Sequence, residues 1–390
     1  MIRVIELFGG IGACTKALER LNIPHEVVDY VEIDKYAVKS FNAIHGTNFE
    51  PQDITKWDKY LECDLIMHGS PCQDFSAAGK GAGGDEGSGT RSSLMYETLR
   101  IVEKLKPKYV IWENVKNLLS KKHRHNFDAY QQAMLNLGYN SYYKVLNAKD
   151  YGIPQNRERV FTVSIRNDGE FDSYYIFPEP IPLERKLKDM LDSKVDERYY
   201  ISSAMMDYFM GVNQKPSKFP RKERFLANIN RKDQTIANTV TTNAGQRPTD
   251  NFVRSAYVRN FGSKGKLEDK EGEISTLQAA MGCGGGNIPI VVASRGRGPE
   301  NKQQLEPRKD GLTNTLTSVQ KDNYIATQSR LRKLTPKECW RLMGFDDSDF
   351  EKAEKVNSNT QLYKQAGNSI VVNVLEAILS NLVGEEYGRQ

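Results

Sequence analysis

The sequence predicts an α/β fold, in which a doubly wound, mostly parallel sheet is joined to a second, smaller, irregular β-rich domain. Up to about residue 165, short apolar runs alternate with segments of helical period. Several of the apolar runs end at Gly, Pro or carboxylate residues, as buried strands do at the edge where ligands bind. After about residue 185 the chain becomes polar and rich in Asn, Thr and Gly. We therefore predict a first domain over 1–184, a second over 185–345, and a return to the first over 346–390.

Composition restricts the class of protein. The 390 residues are 38% hydrophobic and 27% charged, which is typical of a soluble globular protein with room for two domains. No apolar run approaches the roughly 18 residues of a membrane span, and we expect no signal peptide, because no basic segment precedes the first apolar run. The five cysteines are scattered and form no CxxC pair, so we expect no metal site and no disulfide framework. This usage fits a reducing, intracellular compartment.

The positive charge lies in one segment. Residues 185–330 hold 25 Lys and Arg against 16 Asp and Glu, whereas the rest of the chain holds 30 against 34. A basic segment suits a polyanion, although ordinary solvated surface is the alternative. The same segment has a weak repeat at 238–253, 275–292 and 314–325, in which Thr and Val or Leu precede a polar turn. The repeat predicts three hairpin-like units.

The first strand and helix flank a glycine-rich turn. Arg3–Leu7 reads as a strand, Phe8–Gly12 as the turn and Ala13–Leu21 as a helix, which lets a ligand approach the backbone at a helix amino terminus. The turn lacks the GxGxxG spacing, which weakens a nicotinamide dinucleotide interpretation. Glu32 ends the second predicted strand, Glu26–Glu32, where a carboxylate can bind a ribose diol; a surface carboxylate is the alternative.

Cys72 follows a buried strand, Leu65–His68, on a tight loop made by Gly69 and Pro71. A thiol at the carboxyl end of a strand can act as a nucleophile if a cation or helix terminus lowers its pKa. A lone cysteine is more often a small buried hydrophobe. The rest of the chain must decide between the two.

Two further motifs carry candidate catalytic groups. Glu113 ends the strand that begins at Tyr109, between apolar neighbours that can raise its pKa and make it an acid. Arg157 and Arg159 share one face of Gly152–Phe161 if that segment is extended, and paired arginines suit a phosphate or a polarised carbonyl. A surface salt-bridge cluster is the alternative for the arginines.

The remaining elements follow from helical period, strand character and capping residues. Thr335, Pro336 and Glu338 predict the capped start of a helix within Leu334–Phe345, and Gly344 predicts its end. The other predicted helices and strand are Lys35–His45, Leu94–Leu105, Asn126–Leu137, Ser369–Leu382 and the strand Tyr139–Leu146.

These motifs, in this order, resemble those of the cytosine-5 DNA methyltransferases of bacteria and their phages, over all but about residues 166–330. The resemblance implies a Rossmann-like methyltransferase domain that binds S-adenosylmethionine. The implied cofactor residues are the loop Phe8, Gly10, Ile11 and Gly12, the ribose-binding Glu32 with Ile33, the adenine-contacting Asp53 and Ile54, and the last motif Asn368, Ser369 and Ile370. Ala13 stands where many members have glycine, and Ile33 where some have an aromatic ring.

The resemblance also implies the chemistry. Pro71-Cys72-Gln73 matches the nucleophile motif, Glu113-Asn114-Val115 the acid motif and the segment through Arg157 and Arg159 the paired-arginine motif. Cys72 would add to carbon 6 of a flipped-out cytosine while Glu113 and the arginines stabilise the ring. The residues implied to contact DNA are Gln73, Ser76, Thr276, Leu277, Thr315 and Leu316.

The resemblance thus predicts a cytoplasmic, monomeric enzyme of a bacterial or phage-infected cell that methylates carbon 5 of cytosine in a specific duplex DNA sequence. A separately encoded restriction endonuclease is a predicted partner. Three alternatives stay open on the sequence: a nicotinamide oxidoreductase, an RNA cytosine-5 methyltransferase, and a DNA-binding relative without activity. Intact Cys72, Glu113 and Arg159 argue against the last.

Overall fold

The structure is a computed structural model of the chain. It describes residues 1–71, 94–169, 174–209, 221–229, 236–242, 251–255, 258–261, 267–270, 290–297, 302–307, 323–326 and 330–387. The strands in these ranges are β1 Ile2–Leu7, β2 His25–Val31, β3 Leu65–His68, β4 Tyr109–Val115, β5 Tyr139–Asn147, β6 Gln155–Asn156, β7 Glu158–Arg166, β8 Ala237–Asn238, β9 Phe252–Ser255, β10 Val258–Phe261, β11 Leu267–Lys270, β12 Ile290–Arg297, β13 Lys302–Pro307, β14 Asn323–Ala326 and β15 Arg330–Lys333. The helices are α1 Ala13–Arg20, α2 Lys35–His45, α3 Met95–Leu105, α4 Arg124–Asn136, α5 Ser203–Phe209, α6 Arg221–Ile229, α7 Pro336–Arg341, α8 Asp347–Glu354, α9 Asn359–Asn368 and α10 Val372–Tyr387.

The chain divides into two compact units. The first comprises 1–193, 233–244 and 335–390, and the second comprises 194–232 and 245–334. Three segments of the first unit, 185–193, 233–244 and 335–345, lie in the range that the sequence analysis assigns to the second domain. The pairing of β8 with β6 joins 233–244 to the first unit. The packing of Trp340, whose Nε1 donates to the carbonyl of Leu362 at 3.0 Å, joins 335–345 to it.

A six-stranded sheet in the order β2-β1-β3-β4-β7-β5 forms the centre of the first unit. Strands β1 to β4 run parallel, and β7 runs antiparallel to both of its neighbours. The predicted mixed α/β fold with a mostly parallel sheet is therefore confirmed. Because β7 is antiparallel, its amino end lies at the same edge as the carboxyl ends of β1 to β4.

The main core cluster joins the sheet to α3 and α4. It contains Ile66 and Trp112 from the strands, Ile101 from α3, and Phe127 and Tyr130 from α4, all fully or almost fully buried. Such burial of large apolar side chains contributes about 1.5–3 kcal/mol each. The core therefore fixes the ends of β3 and β4, from which the candidate site is built.

The helix α7 begins as its capping residues predict. Glu338 N donates to the Thr335 hydroxyl at 3.2 Å, and Thr335 N donates to the Glu338 carboxylate at 2.8 Å. Pro336 occupies the first helical position, and Gly344 follows the helix with φ +85°. The helix ends at Arg341, and Gly344 lies beyond its end, as predicted.

The second unit, described by itself, contains α5, α6 and strands β9 to β15. Five of these strands form a sheet in the order β11-β10-β14-β12-β13, with antiparallel pairs throughout, and β15 pairs with β9. In the predicted hairpin unit at 238–253, Asn238 lies in β8 of the first unit, and residues 243–250 lie outside the described residues. Residues 275–289 and 314–322 of the other two predicted units lie outside the described residues.

One stretch, Asn359–Gly384, is long and apolar enough to cross a membrane by length and composition. It consists of α9 and α10, which are separate helices on either side of Ser369. Half of its most apolar window is buried in the protein, as in the core helices of soluble proteins. The stretch is therefore weak evidence for a membrane span.

Candidate active site

The loop between β1 and α1 lies directly on two aromatic rings. A Cβ at Gly9 would lie 2.7 Å from Tyr30 Cε2, and one at Gly12 would lie 2.7 Å from Phe41 Cε2. The Tyr30 hydroxyl donates to the Gly10 carbonyl at 2.5 Å. Gly10 and Gly12 have φ of +57° and +80°, which larger residues rarely adopt. Any side chain at Gly9 or Gly12 would therefore displace the loop.

The other predicted residues of this loop take different positions. Ile11 is 1% exposed, and its side chain is part of the interior. Phe8 is half-buried and packs against the main core cluster. Of the three glycines in this loop, Gly10 alone has open space beside its Cα, since a Cβ there would have no neighbouring atom within 4 Å. A ligand at this loop can thus approach the backbone at Gly10.

Glu6 of β1 binds the first turn of α1. The sequence analysis did not identify this residue. The backbone N of Thr15 donates to its carboxylate at 2.8 Å, and the Thr15 hydroxyl donates to the same oxygen. Burial raises the pKa of Glu6, and the hydrogen bonds from Thr15 oppose the shift. The available signal was an acidic residue between the apolar Ile5 and Leu7 of β1.

Glu32 lies just after β2, beside the glycine loop. Its carboxylate accepts hydrogen bonds from Gly10 N at 3.2 Å and from Asp34 N at 2.8 Å. Burial raises its pKa, and these backbone donors oppose the shift. A carboxylate has about four lone-pair sites, so acceptor capacity remains for a ligand. The neighbouring Ile33 is 69% exposed, an unusual position for a large apolar side chain.

Asp53 and Ile54 lie on a loop that runs beside Glu32. The backbone N of Gln52 donates to the Glu32 carbonyl at 2.8 Å. The Asp53 carboxylate caps a short 3-10 helix by accepting from Thr55 N at 3.0 Å and from its hydroxyl at 2.8 Å. The structure therefore brings Gly10, Glu32 and the Asp53 loop to one part of the sheet edge.

The loop after β3 is held by side chains from β4. Trp112 Nε1 donates to the Ser70 hydroxyl at 3.0 Å, and Asn114 Nδ2 lies 3.4 Å from the Ser70 carbonyl oxygen. These contacts fix the backbone two residues before Cys72. Cys72 itself, together with Gln73 and Ser76, lies outside the described residues.

Glu113 faces the same loop. A Cβ at Gly69 would lie 3.7 Å from Glu113 Oε2 and 3.6 Å from Ile370 Cδ1. Arg159 Nε lies 3.0 Å from Glu113 Oε1. Arg159 is on β7, where it pairs with Val115 of the adjacent β4. Burial raises the pKa of Glu113, while the charges of Arg159 and Arg157 oppose the shift. The site thus holds a buried carboxyl group with a raised pKa beside one guanidinium.

Arg157 does not share the position of Arg159. Its guanidinium is buried and donates to three backbone carbonyls: Val240 at 3.2 Å, Gly367 at 3.2 Å and Ser369 at 2.8 Å. The extended spacing predicted that the two arginines form a pair directed at one group. The structure does not support this, since their guanidinium groups have different partners. Arg157 instead joins the segment 236–242 to the segment that begins at Gly367.

The last predicted cofactor motif lies between α9 and α10. Gly367 packs against the backbone of Thr241, since a Cβ at Gly367 would lie 2.6 Å from Thr241 C. Ser369 is buried, Asn368 is exposed, and Ile370 reaches the loop at Gly69. The motif therefore lies beside the loop after β3, more than 290 residues away along the chain.

The predicted base-reading residues of the basic segment cannot be placed relative to this site. Thr276, Leu277, Thr315 and Leu316 lie outside the described residues. In the described part of the chain, no group of three or more His, Cys, Asp or Glu side chains could hold a metal ion. Cys14, Cys63 and Cys339 are buried free thiols.

A family model for C-5 cytosine-specific DNA methylases matches residues 2–384, which is nearly the whole chain. The chain belongs to this family. The nicotinamide oxidoreductase interpretation is thereby set aside. DNA methylation and a Rossmann-like, S-adenosylmethionine-dependent methyltransferase fold agree with the assignment.

Curated relatives of the methylase cover almost its full length. It is 32% identical to the orphan methyltransferase M.SPRI of Bacillus phage SPR, over 98% of this chain and 97% of the relative. It is 30% identical to the type II methyltransferase M2.ScrFI of Lactococcus lactis subsp. cremoris, over 98% and 99%. It is 32% identical to the type II methyltransferase M.HhaI of Haemophilus parahaemolyticus, over 98% and 94%.

Solved structures agree on the fold. The methylase is similar to the S. pombe Dnmt2 methyltransferase, with a TM-score of 0.59, 19% identity and 98% coverage of both chains. It is also similar to the Entamoeba histolytica methyltransferase EhMeth, with a TM-score of 0.57, 16% identity and coverage of 99% and 98%.

Members of this family use S-adenosylmethionine as the methyl donor. The residues at the sheet edge fit that molecule. Glu32 retains acceptor capacity for the ribose hydroxyls, the exposed side chain of Ile33 offers an apolar surface to an adenine ring, and Gly10 leaves room for a ligand against the backbone. The chemistry of these groups therefore suits an adenosine derivative.

Proposed function

We propose that this methylase transfers a methyl group from S-adenosylmethionine to carbon 5 of cytosine in a specific duplex DNA sequence, through a covalent adduct with Cys72. The observation that supports this most directly is the buried Glu113 carboxyl, which Arg159 contacts beside the loop leading to Cys72. A nucleophile and an acid at the carboxyl ends of adjacent parallel strands can act on one flat ring.

In this proposal Cys72 acts as the nucleophile. Carbon 5 of cytosine is too weak a nucleophile to accept a methyl group directly. When the Cys72 thiolate forms a bond to carbon 6, the electron pair of the 5,6 double bond becomes available at carbon 5. S-adenosylmethionine supplies an electrophilic methyl group and leaves as a neutral thioether. Transfer of the carbon 5 proton to a water molecule then restores the double bond and expels the thiolate, while ring nitrogen 3 gives back the proton that Glu113 donates during the addition.

Glu113 provides the proton that this addition requires. Negative charge develops at ring nitrogen 3 as the thiolate adds, and a neutral carboxyl can donate its proton there. Burial favours that neutral form. Arg159, 3.0 Å away, stabilises the carboxylate that remains and can also hold the carbonyl oxygen of the base. Arg157 acts at a distance, by fixing Gly367 and Ser369 in the cofactor motif.

The cofactor residues and the DNA-binding residues complete the proposal. Phe8, Gly10, Gly12, Glu32, Asp53 and Asn368 line one cofactor site, with Ile11 supporting it from the core. The basic segment 185–330 binds the duplex, because phosphate contacts supply most of the non-specific affinity. The target cytosine leaves the stack, since an enzyme cannot reach carbon 6 inside a duplex. A cognate restriction endonuclease and a monomeric state stay predictions.

Methyl transfer from labelled S-adenosylmethionine tests the proposal. We expect the wild type to label duplex DNA and Cys72→Ser to lose at least about 10³-fold in rate, because a hydroxyl is a far poorer nucleophile. Calorimetry should show that Cys72→Ser still binds the cofactor. Cys63→Ser changes a buried thiol near the start of β3 and serves as the matched control.

Two outcomes would contradict the proposal. Substantial transfer by Cys72→Ser would exclude the covalent mechanism. Labelling of RNA but not of duplex DNA of the same sequence would exclude DNA as the substrate and favour the RNA methyltransferase alternative.

A further inference from the structure

The loop that carries Asp53 and Ile54 is anchored at both ends by one buried carboxylate. This segment, Gln52–Lys59, is called here the 52–59 loop. Asp29 of β2 is 2% exposed. It accepts hydrogen bonds from Gln52 Nε2 at 2.8 Å, at the start of the loop, and from Trp57 Nε1 at 2.7 Å, near its end.

A backbone N–H and a cation also contact Asp29, and Tyr30 N donates to Oδ1 at 3.0 Å. Lys59 Nζ lies 2.9 Å from Oδ2 and 3.1 Å from Oδ1. Burial raises the pKa of Asp29, but the hydrogen bonds from Trp57, Gln52 and Lys59 outweigh it, so the net shift is downward. Asp29 is therefore ionised at neutral pH, and charge-assisted hydrogen bonds of this kind are among the stronger ones in proteins.

A second group holds the loop from the other side. Arg100 of α3 donates from Nη1 to the Trp57 carbonyl at 2.9 Å and from Nη2 to the Ile54 carbonyl at 3.0 Å. The side chains of Ile54 and Trp57 belong to the main core cluster. The backbone around Asp53 is thus fixed without any contact to a ligand.

We propose that Asp29 is a positioning residue for S-adenosylmethionine, which holds the 52–59 loop so that Asp53 and Ile54 are in place before the adenine arrives. The inference rests on the cofactor site proposed above. Gln52 links the two parts of that site, because its side chain bonds Asp29 while its backbone N donates to the Glu32 carbonyl at 2.8 Å.

This role predicts a particular kinetic signature. If the loop is organised in only a fraction of molecules, the apparent dissociation constant rises by the inverse of that fraction. Bound cofactor restores the organised loop, so the saturated rate hardly changes. Loss of a group that reacts would instead lower the saturated rate.

Asp29→Asn and Trp57→Phe test the proposal in the full chain. Asp29→Asn replaces one accepting oxygen with an N–H donor at a position that faces four donors, the side chains of Gln52, Trp57 and Lys59 and the backbone N of Tyr30. Trp57→Phe keeps an apolar ring and removes a single hydrogen bond. For Asp29→Asn we expect the dissociation constant of S-adenosylhomocysteine, measured by calorimetry, and the KM for the cofactor to rise about tenfold. The kcat should stay within about twofold. Trp57→Phe should show the same pattern at about threefold.

Limited proteolysis gives an independent readout of the loop. Trypsin should cleave after Lys56 or Lys59 faster in Asp29→Asn than in the wild type, and S-adenosylhomocysteine should suppress the difference. The matched control is Asp64→Asn at the amino end of β3. Asp64 also accepts several hydrogen bonds, from Arg3 N at 2.8 Å and its guanidinium at 3.0 and 3.1 Å.

The controls separate failure of this inference from failure of the cofactor site. Asp64→Asn should lower the melting temperature and leave the dissociation constant unchanged. An equal loss of affinity in Asp64→Asn, or an unchanged affinity in Asp29→Asn while Glu32→Gln binds more weakly, would overturn the positioning role alone. If Glu32→Gln also bound normally, the assigned cofactor site itself would be wrong.

Discussion

At the residue scale, the chemistry that we propose depends on the protonation state of Glu113. Burial favours its neutral form, and Arg159 at 3.0 Å favours the ionised one. Burial is the larger influence, and the pKa of Glu113 is raised. The residue therefore keeps its proton to higher pH than an exposed glutamate. After proton transfer, the guanidinium of Arg159 stabilises the negative charge left on the carboxylate.

Glu113→Gln tests that arrangement through the pH dependence of the saturated rate. In the wild type the rate should fall as pH rises through the raised pKa of Glu113, because the proton donor is lost. Glutamine cannot transfer a proton, so we expect a rate about 10²–10³-fold lower and no fall assigned to this group. Glu158→Gln, on the exposed side chain paired with Lys116 at 2.9 Å, is the matched control. An unchanged pH profile in Glu113→Gln would contradict the role.

The raised pKa of Glu113 also makes the free energy of unfolding depend on pH. A carboxyl whose pKa is raised in the folded state contributes stability below its unfolded pKa, and that contribution is lost as pH rises through the folded value. The contribution of Glu113 to stability is therefore largest in acid and falls as pH rises through its raised pKa. Shifted pKa values of this kind are common at functional sites.

Sequence reasoning worked for single residues where local position was informative. Glu32 and Glu113 each end an apolar run, and the structure has both carboxylates at the sheet edge. Arg157 could not be interpreted in this way. Its partners are backbone carbonyls 83 to 212 residues further along the chain, and a carbonyl has no signature in the sequence.

At the scale of elements, those with local start and stop signals were predicted well. The helix Lys35–His45 and the strand Leu65–His68 have the predicted bounds. Asp34 caps the helix by accepting from Tyr36 N, and Gly46 ends it in the left-handed region. Caps and breakers act within a few residues, which is why they can be read from the sequence.

Elements that depend on distant contacts were not predicted. The pairing of β8 with β6 is accompanied by contacts to distant residues: Gln155 accepts from Val240 N at 2.8 Å, and Gly367 allows the backbone of Thr241 to approach. The direction of β7 is likewise a property of its partners and leaves no local trace. Tertiary packing of this kind overrides strand propensity.

The basic segment 185–330 allows a test at the same scale. We expect the affinity for duplex DNA to fall with salt with a log–log slope of about −0.9 for each phosphate neutralised. Arg308→Ala should weaken binding to cognate and scrambled duplexes equally, whereas Thr315→Ala should lower methylation of the cognate site only, because phosphate contacts carry no base information. Thr276→Ala is the second candidate. Binding that is independent of salt would contradict the assignment of this segment.

At the scale of the whole molecule, helices from the end of the chain pack against the first helix. Lys16 of α1 contacts Asp349 of α8 at 2.9 Å, and Arg20 contacts Glu376 of α10 at 3.2 Å. The last segment of the first unit begins at Thr335. The sequence analysis places this boundary at 346, since the cap of α7 carries no information about where the helix packs.

Cytosine methylation of duplex DNA is tested most directly by bisulfite sequencing of plasmid DNA from cells that make the wild type or Cys72→Ser. With the wild type we expect protected cytosines at one position of a short recurring sequence. With Cys72→Ser, produced at the same level, we expect none. Absence of protected cytosines with a soluble wild type that binds S-adenosylmethionine, or equal protection with both proteins, would contradict the proposed function.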